Sequence, residues 1–222
     1  MNKAFVITAD IVDSKKQNNV AQLLQTKLDE VNIKYEDLLY TKLAHLKGDE
    51  FQAIIEKSNG DRILSIIREL KNQFGTDNLR IAIAYGEILT EGNRNSEFGS
   101  WGFNGEVFYK ARHVIDNLKV KKNNTVQMNT MFMIFENDIE NETINLLYYN
   151  IDKILSKWSK EQWQISSYLE QNMTHEQITK MMNQLNQSNM KRSSYTRKIN
   201  RSEWYLVNET EKLITNIIKE KL

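Results

Sequence analysis

Two acidic pairs stand 39 residues apart: Asp10 and Asp13 in ADIVD, Asp49 and Glu50 in KGDEF. Short apolar runs adjoin them, 4–9 (AFVITA) before the first pair and 51–55 (FQAII) after the second, and such runs read as strands. Carboxylates on the ends of neighbouring strands form the ligand set that holds two divalent cations for phosphoryl transfer. Mg²⁺ takes one or two such carboxylates and fills its shell with substrate phosphate. The plainer alternative is that acids at strand ends and turns are simply solvated. Gly48, beside the second pair, would let the backbone come close to the cluster.

Composition removes other chemistries. The 222-residue chain has no Cys, hence no disulfide, thiolate zinc site or Cys nucleophile, and its three His (45, 113 and 175) are too far apart for an HExxH-type site. The longest charge-free stretch, 123–135, is rich in Asn, Gln and Thr, so no membrane span is expected. Asp10 interrupts any signal-peptide core, which makes a cytoplasmic chain with no membrane partner the expectation. The net charge of +1 says little, but its local distribution does. Between 177 and 202 there is no acid, while Lys180, Lys191, Arg192, Arg197, Lys198 and Arg201 fall inside, which points to an anionic partner for that segment.

The elements that must carry these groups follow from hydrophobic periodicity. Residues 14–17 open a helical pattern of Val20, Leu23, Leu24, Leu28, Val31, Tyr35, Leu38 and Leu39. Runs 43–46 and 51–55 flank KGDE as a hairpin with the acids at its tip. Ile63, Ile66, Ile67 and Leu70 mark a helix closing near Gly75; 79–85 (LRIAIAY) is a strand, 89–103 a polar Gly-rich loop, and 107–118 a further helix. The order βαββαβα predicts an α+β domain with helices packed on an antiparallel sheet. All eight Gly lie at or before position 105, and the remainder has neither Gly nor Pro, which predicts a turn-rich first half and a helical second. The expected division is 1–135 and 136–222.

LKGDEFQAII is similar to the GGDEF signature of diguanylate cyclases, with Lys47 in place of the first Gly. TADIVDSKK resembles the metal-bearing first strand of the same palm fold, shared with class III nucleotide cyclases, and VFYKAR (107–112) resembles the GGDEF helix motif ALYxAK. The resemblance implies a ferredoxin-like, palm or cyclase-like sheet domain with Mg²⁺ or Mn²⁺ held by Asp10, Asp49 and the backbone carbonyl of Ile11. It further implies Glu50 as third ligand or base and Arg112 as the phosphate clamp. His45 stands where adenylyl cyclases carry the Lys of KxxGD, and Phe108 replaces the Asn of the class III NxxxR helix motif. Lys47, His45 and Arg112 are thus the nucleotide-binding candidates.

The second half repeats Ile144, Leu147, Tyr148, Ile151, Ile154, Leu155 and Trp158 at three and four, a buried helical stripe. Ser159 with Gln162 and Thr174 with Gln177 are capping boxes, each marking a helix start. The segment from Thr174 resembles the first helix of a helix-turn-helix, with Asn183 at the turn because Asn tolerates the left-handed conformation. The connection, 184–192, is longer than usual. SSYTRKINRSEW (193–204) resembles a recognition helix, with Tyr195, Ile199 and Trp204 inward and Ser193, Ser194, Arg197, Lys198 and Arg201 outward. Lys191, Arg192, Ser193, Ser194, Tyr195, Arg197, Lys198 and Arg201 are the DNA-binding candidates, Arg for guanine edges and Lys, Ser and Tyr for phosphates. A closing amphipathic helix, 206–222, is the expected dimerisation surface. ITADIVDSKK, KGDEFQAII, RIAIAYGEI, NGEVFYKAR and a C-terminal helix-turn-helix occur in the order of the bacterial SatD family, which the chain resembles over nearly its whole length. The resulting expectation is a homodimeric DNA-binding regulator whose palm domain senses a nucleotide or metal–nucleotide complex. The alternative is a Mg²⁺- or Mn²⁺-dependent nucleotide cyclase or nucleotidyltransferase.

Overall fold

The computed structural model describes residues 3–13, 20–89, 92, 98–120 and 126–222. The expected helix opening at 14–17 and much of the Gly-rich loop lie outside the described residues. Strands β1 (Lys3–Ile11), β2 (Ala44–Lys47), β3 (Glu50–Glu56), β4 (Leu79–Glu87) and β5 (Thr130–Met133) form one sheet in the order β2-β3-β1-β4-β5. Helices α1 (Val20–Lys34), α2 (Ile63–Phe74) and α3 (Glu106–Lys119) connect them, and α4 (Asp138–Leu155), α5 (Lys160–Glu170), α6 (His175–Leu185), α7 (Arg192–Arg201) and α8 (Trp204–Lys221) follow. The α+β class is as the sequence predicts. The four-strand portion is antiparallel, but β5 runs parallel to β4, so the sheet is mixed.

Central β1 is apolar nearly throughout because both its faces are covered. Its odd positions Phe5, Ile7, Ala9 and Ile11 join a core with α1 and α2 that continues into Tyr148, Ile199 and Ile218 of the helical half. Its even positions turn toward α3, where Ala4 and Val6 pack with Ile54, Ala84, Val107 and Ala111. Small residues let α3 lie close: a Cβ on Gly86 would meet Val107 at 3.4 Å.

Edge strand β5 is covered by amides from α4. Asn145 accepts from Phe132 N at 2.6 Å and donates to Phe132 O at 3.0 Å. One turn earlier, Asn141 accepts from Ile134 N and Phe135 N and donates to Phe135 O. Side chains four apart on a helix thus complete backbone bonds that an open edge would leave exposed. A second link is ionic and lies beneath the helices. From α2, Arg68 reaches Glu211 of α8 at 2.6 Å and Glu170 of α5 at 3.0 Å, and Lys71 reaches Asp152 of α4 at 2.6 Å. Lys71 is wholly buried. Burial pushes its ammonium down and the Asp152 carboxyl up, each against the attraction of the pair.

Candidate functional site

Three cross-strand rows on the α3 face grade from apolar to charged. Val6 sits between Ile54 and Ala84, Thr8 between Gln52 and Ala82, and Asp10 between Glu50 and Arg80. In the middle row Gln52 donates to Thr8 Oγ1 at 2.7 Å and accepts from Ser100 Oγ at 2.6 Å, so the buried polar groups are satisfied. The last row carries two carboxylates, Asp10 and Glu50, that are 4% and 5% exposed. Opposed like charges are unfavourable, and buried ones need partners.

Those partners come from β4 and α3. Asp10 accepts from Arg80 Nη1 at 2.9 Å and pairs with Lys119 Nζ at 2.9 Å. Glu50 accepts from Lys119 Nζ at 2.6 Å and from Arg112 Nη1 at 2.7 Å. Arg112 also holds Asp116 through Nε and Nη2, both at 3.0 Å. Residues 112, 116 and 119 share one helical stripe, and Lys119 ends α3, where the helix dipole favours a cation. Burial alone would lower the pKa of Arg112 and Lys119. Hydrogen bonds and charge from Asp116 and Glu50 in the first case, and from Glu50 and Asp10 in the second, hold both above their ordinary values. The carboxylates are deep, yet the side chains of Arg80, Lys119 and Arg112 remain 21%, 32% and 50% exposed. Buried acids therefore aim a group of solvent-facing cations.

The other sequence candidates lie around this network. Glu50 is within β3 rather than at the hairpin tip, which is Gly48–Asp49. Gly48 has φ of 64° and open space where a Cβ would project, so it serves the turn and not a close approach. Asp49 is half-buried, and its carbonyl accepts from Ile11 N at 3.4 Å, which joins the end of β1 to the turn. His45 folds back on the same turn, its Nε2 lying 2.7 Å from Gly48 O, and Lys47 is exposed. Among the described residues no group of three His, Cys, Asp or Glu side chains is placed to hold a metal ion. Carboxylate oxygens suit Mg²⁺ or Mn²⁺, but all four of Asp10 and Glu50 are already engaged by cations, so the arrangement does not fit a metal bridging them. A surface hollow of about 920 Å³ lies elsewhere, along Asp29, Asn32 and Ile33 of α1 and Glu36 just after it.

Sequence reasoning missed Arg80 and Lys119. Lys119 follows Arg112 by seven residues, two turns of one face, which was its available signal. Arg80 is marked only by the register that sets it opposite Asp10.

The basic segment divides along α7. Lys191, Arg192, Ser193, Arg197 and Arg201 are exposed and Ser194 is half-buried. Lys198 is turned aside by a pair with Glu161 of α5. Tyr195 is fully buried and its hydroxyl donates to Asn183 at 3.1 Å, so it packs instead of facing a ligand. Asn183 is helical, not left-handed. Its amide also binds the backbone of Met190 in both directions, while Gln187 takes the positive φ of 48°. Because α6 runs to Leu185, the connection is 186–191, shorter than its sequence suggests. Both capping boxes form. On α8, Leu206 and Leu213 are exposed.

The SatD family model matches residues 4–218, spanning the sheet, the charge network and the helical half. The chain belongs to the SatD family. No curated protein matches this SatD-family chain in sequence. Among solved structures it is similar to a bacterial light-regulated adenylyl cyclase, at 14% identity and a TM-score of 0.41, covering 59% of this chain and 75% of that one. It is also similar to the guanylyl cyclase Cya2, at 13% identity and 0.39, covering 53% and 73%. The adenylyl cyclase CyaB from P. aeruginosa is similar at 16% identity and 0.36, covering 52% and 72%. No described helix is long and apolar enough to cross a membrane.

Proposed function

We propose that this SatD-family protein binds the polyphosphate of a nucleotide over the Asp10–Lys119–Glu50–Arg112 network and acts as a nucleotide-responsive regulator. One observation carries the reading. Two buried carboxylates hold Arg80, Lys119 and Arg112 in fixed directions while leaving those cations accessible. Pre-aimed cations lose little entropy on meeting an anion, and a guanidinium fork matches phosphate geometry. The nucleotide class is supported by the resemblance of KGDEF and VFYKAR to cyclase motifs. Asp49, Lys47 and His45 border the network on the hairpin and are proposed to contact the rest of the ligand.

A thermal-shift panel of nucleoside triphosphates and inorganic triphosphate, with and without Mn²⁺, tests this, since a ligand selective for the native state raises Tm. At least one triphosphate should raise it, and Arg112→Ala should reduce the effect. No shift from any of them would overturn the reading. Release of pyrophosphate that stops in Asp49→Asn would instead establish the cyclase or nucleotidyltransferase alternative.

A second reading, nucleic-acid contact by α7, is favoured by the run of exposed Arg192, Ser193, Arg197 and Arg201 on a helix anchored by Tyr195 and Ile199. In that reading α8, with exposed Leu206 and Leu213, is the proposed contact between two copies. Salt-dependent DNA binding lost in the Arg197→Ala/Arg201→Ala double variant supports it, and no binding at low salt refutes it.

A further inference from the structure

Asp10 and Glu50 face each other directly across β1 and β3. Two buried carboxylates so placed repel, and a shared cation is the direct remedy. In many phosphate-handling sites that cation is divalent, bound to oxygens at about 2.0–2.6 Å. Here one ammonium takes the position: Lys119 Nζ is 2.9 Å from Asp10 Oδ1 and 2.6 Å from Glu50 Oε1. The outer oxygens are taken by Arg80 and Arg112, which fix both carboxylates around it. Lys119 is also placed by its backbone, at the last position of α3, where it completes the helix terminus as well as the acid pair.

We propose that Lys119 is the built-in counter-ion of the Asp10–Glu50 pair: its ammonium holds the seat of a divalent cation, keeps Mg²⁺ and Mn²⁺ out, and makes anion binding at this site metal-independent. The last clause rests on the polyphosphate reading above; the exclusion of metal does not. Removing the ammonium leaves two opposed carboxylates with two oxygens freed toward the same point, a ligand pair for a hard cation. Replacing it with another cation leaves the seat filled.

Mn²⁺ titration followed by electron paramagnetic resonance, which reads free Mn²⁺ directly, tests the first part without any nucleotide. Lys119→Ala should bind about one Mn²⁺ per chain at least ~10-fold more tightly than the native protein. Lys119→Arg should match the native protein. Stoichiometric Mn²⁺ binding by the native chain that is lost in Asp10→Asn would overturn the proposal, as would equal Mn²⁺ affinity in Lys119→Ala and Lys119→Arg. The native measurement decides even if Lys119→Ala fails to fold. In a parallel titration, inorganic triphosphate should bind the native protein equally well in EDTA and in Mn²⁺; a requirement for Mn²⁺ would overturn metal independence. Should triphosphate bind no variant while the Mn²⁺ pattern holds, the polyphosphate reading falls and the assignment of Lys119 as counter-ion stands.

Discussion

Two charge clusters of similar make-up have opposite surroundings. At the end of β1, Asp10 and Glu50 are buried but their cations reach solvent; between α2 and the helical half, Arg68, Lys71, Asp152 and Glu211 are all at most 9% exposed at the side chain. In the first cluster the acids orient cations that reach solvent, where we propose that a polyphosphate docks. In the second both partners are spent on each other and on joining α2 to α4 and α8. Burial of the cation, more than the presence of an ion pair, separates an open charge cluster from a structural seam.

Substitutions that remove one partner should expose this difference. Lys71→Ala leaves Asp152 buried without its cation and should cost about 3–5 kcal/mol in urea unfolding, with much of the loss recovered in Lys71→Met/Asp152→Leu. Stability unchanged in Lys71→Ala would remove the structural role of the seam. Next in size is a pH effect. Burial, outweighing the charge of Arg68, raises the Glu211 carboxyl from 4.5 to about 7, and its Oε1 has no hydrogen-bond partner among the described residues. A raised folded-state value means the contribution is fully present below 4.5 and is lost as pH rises through 7. The gap corresponds to about 3–4 kcal/mol at ~1.4 kcal/mol per pH unit. Melting temperature should therefore fall between pH 5 and 7.5, and Glu211→Gln should flatten that dependence.

The open cluster should respond in the other sense. Arg112→Ala should cost less than about 1 kcal/mol of stability, because its guanidinium is half-exposed and Lys119 still neutralises the buried Glu50, yet weaken triphosphate binding ~10-fold. The smallest stability effect belongs to Arg197→Ala/Arg201→Ala, within about 0.5 kcal/mol by chemical unfolding. If α7 contacts DNA, the same pair should reduce the salt slope of binding by ~2.

Much of this arrangement was legible beforehand because it is local. An apolar run ending in Asp10, a KGDE hairpin and two capping boxes each declare themselves within a few residues. Strand β5 did not, since Thr130–Met133 is held by a parallel partner and by Asn141 and Asn145 from a later helix. The positions of Glu50 and Lys119 are equally non-local. Register puts Glu50 in the sheet opposite Asp10, and only the packing of α3 over that row brings Lys119 between them. Lys198 looks like a surface contact in sequence, but its partner Glu161 lies on another helix, while Tyr195 turns inward as its spacing suggests and its hydroxyl is held there by Asn183 of α6.

On the proposed reading, buried acids aim accessible cations at a polyphosphate. Calorimetric titration of inorganic triphosphate into the native protein and Arg112→Ala, at low salt with EDTA present, measures it most directly. Saturable binding to one site per chain, weakened ~10-fold in Arg112→Ala at nearly unchanged Tm, is the predicted result. No binding to the native protein, or equal affinity in the two, would contradict it.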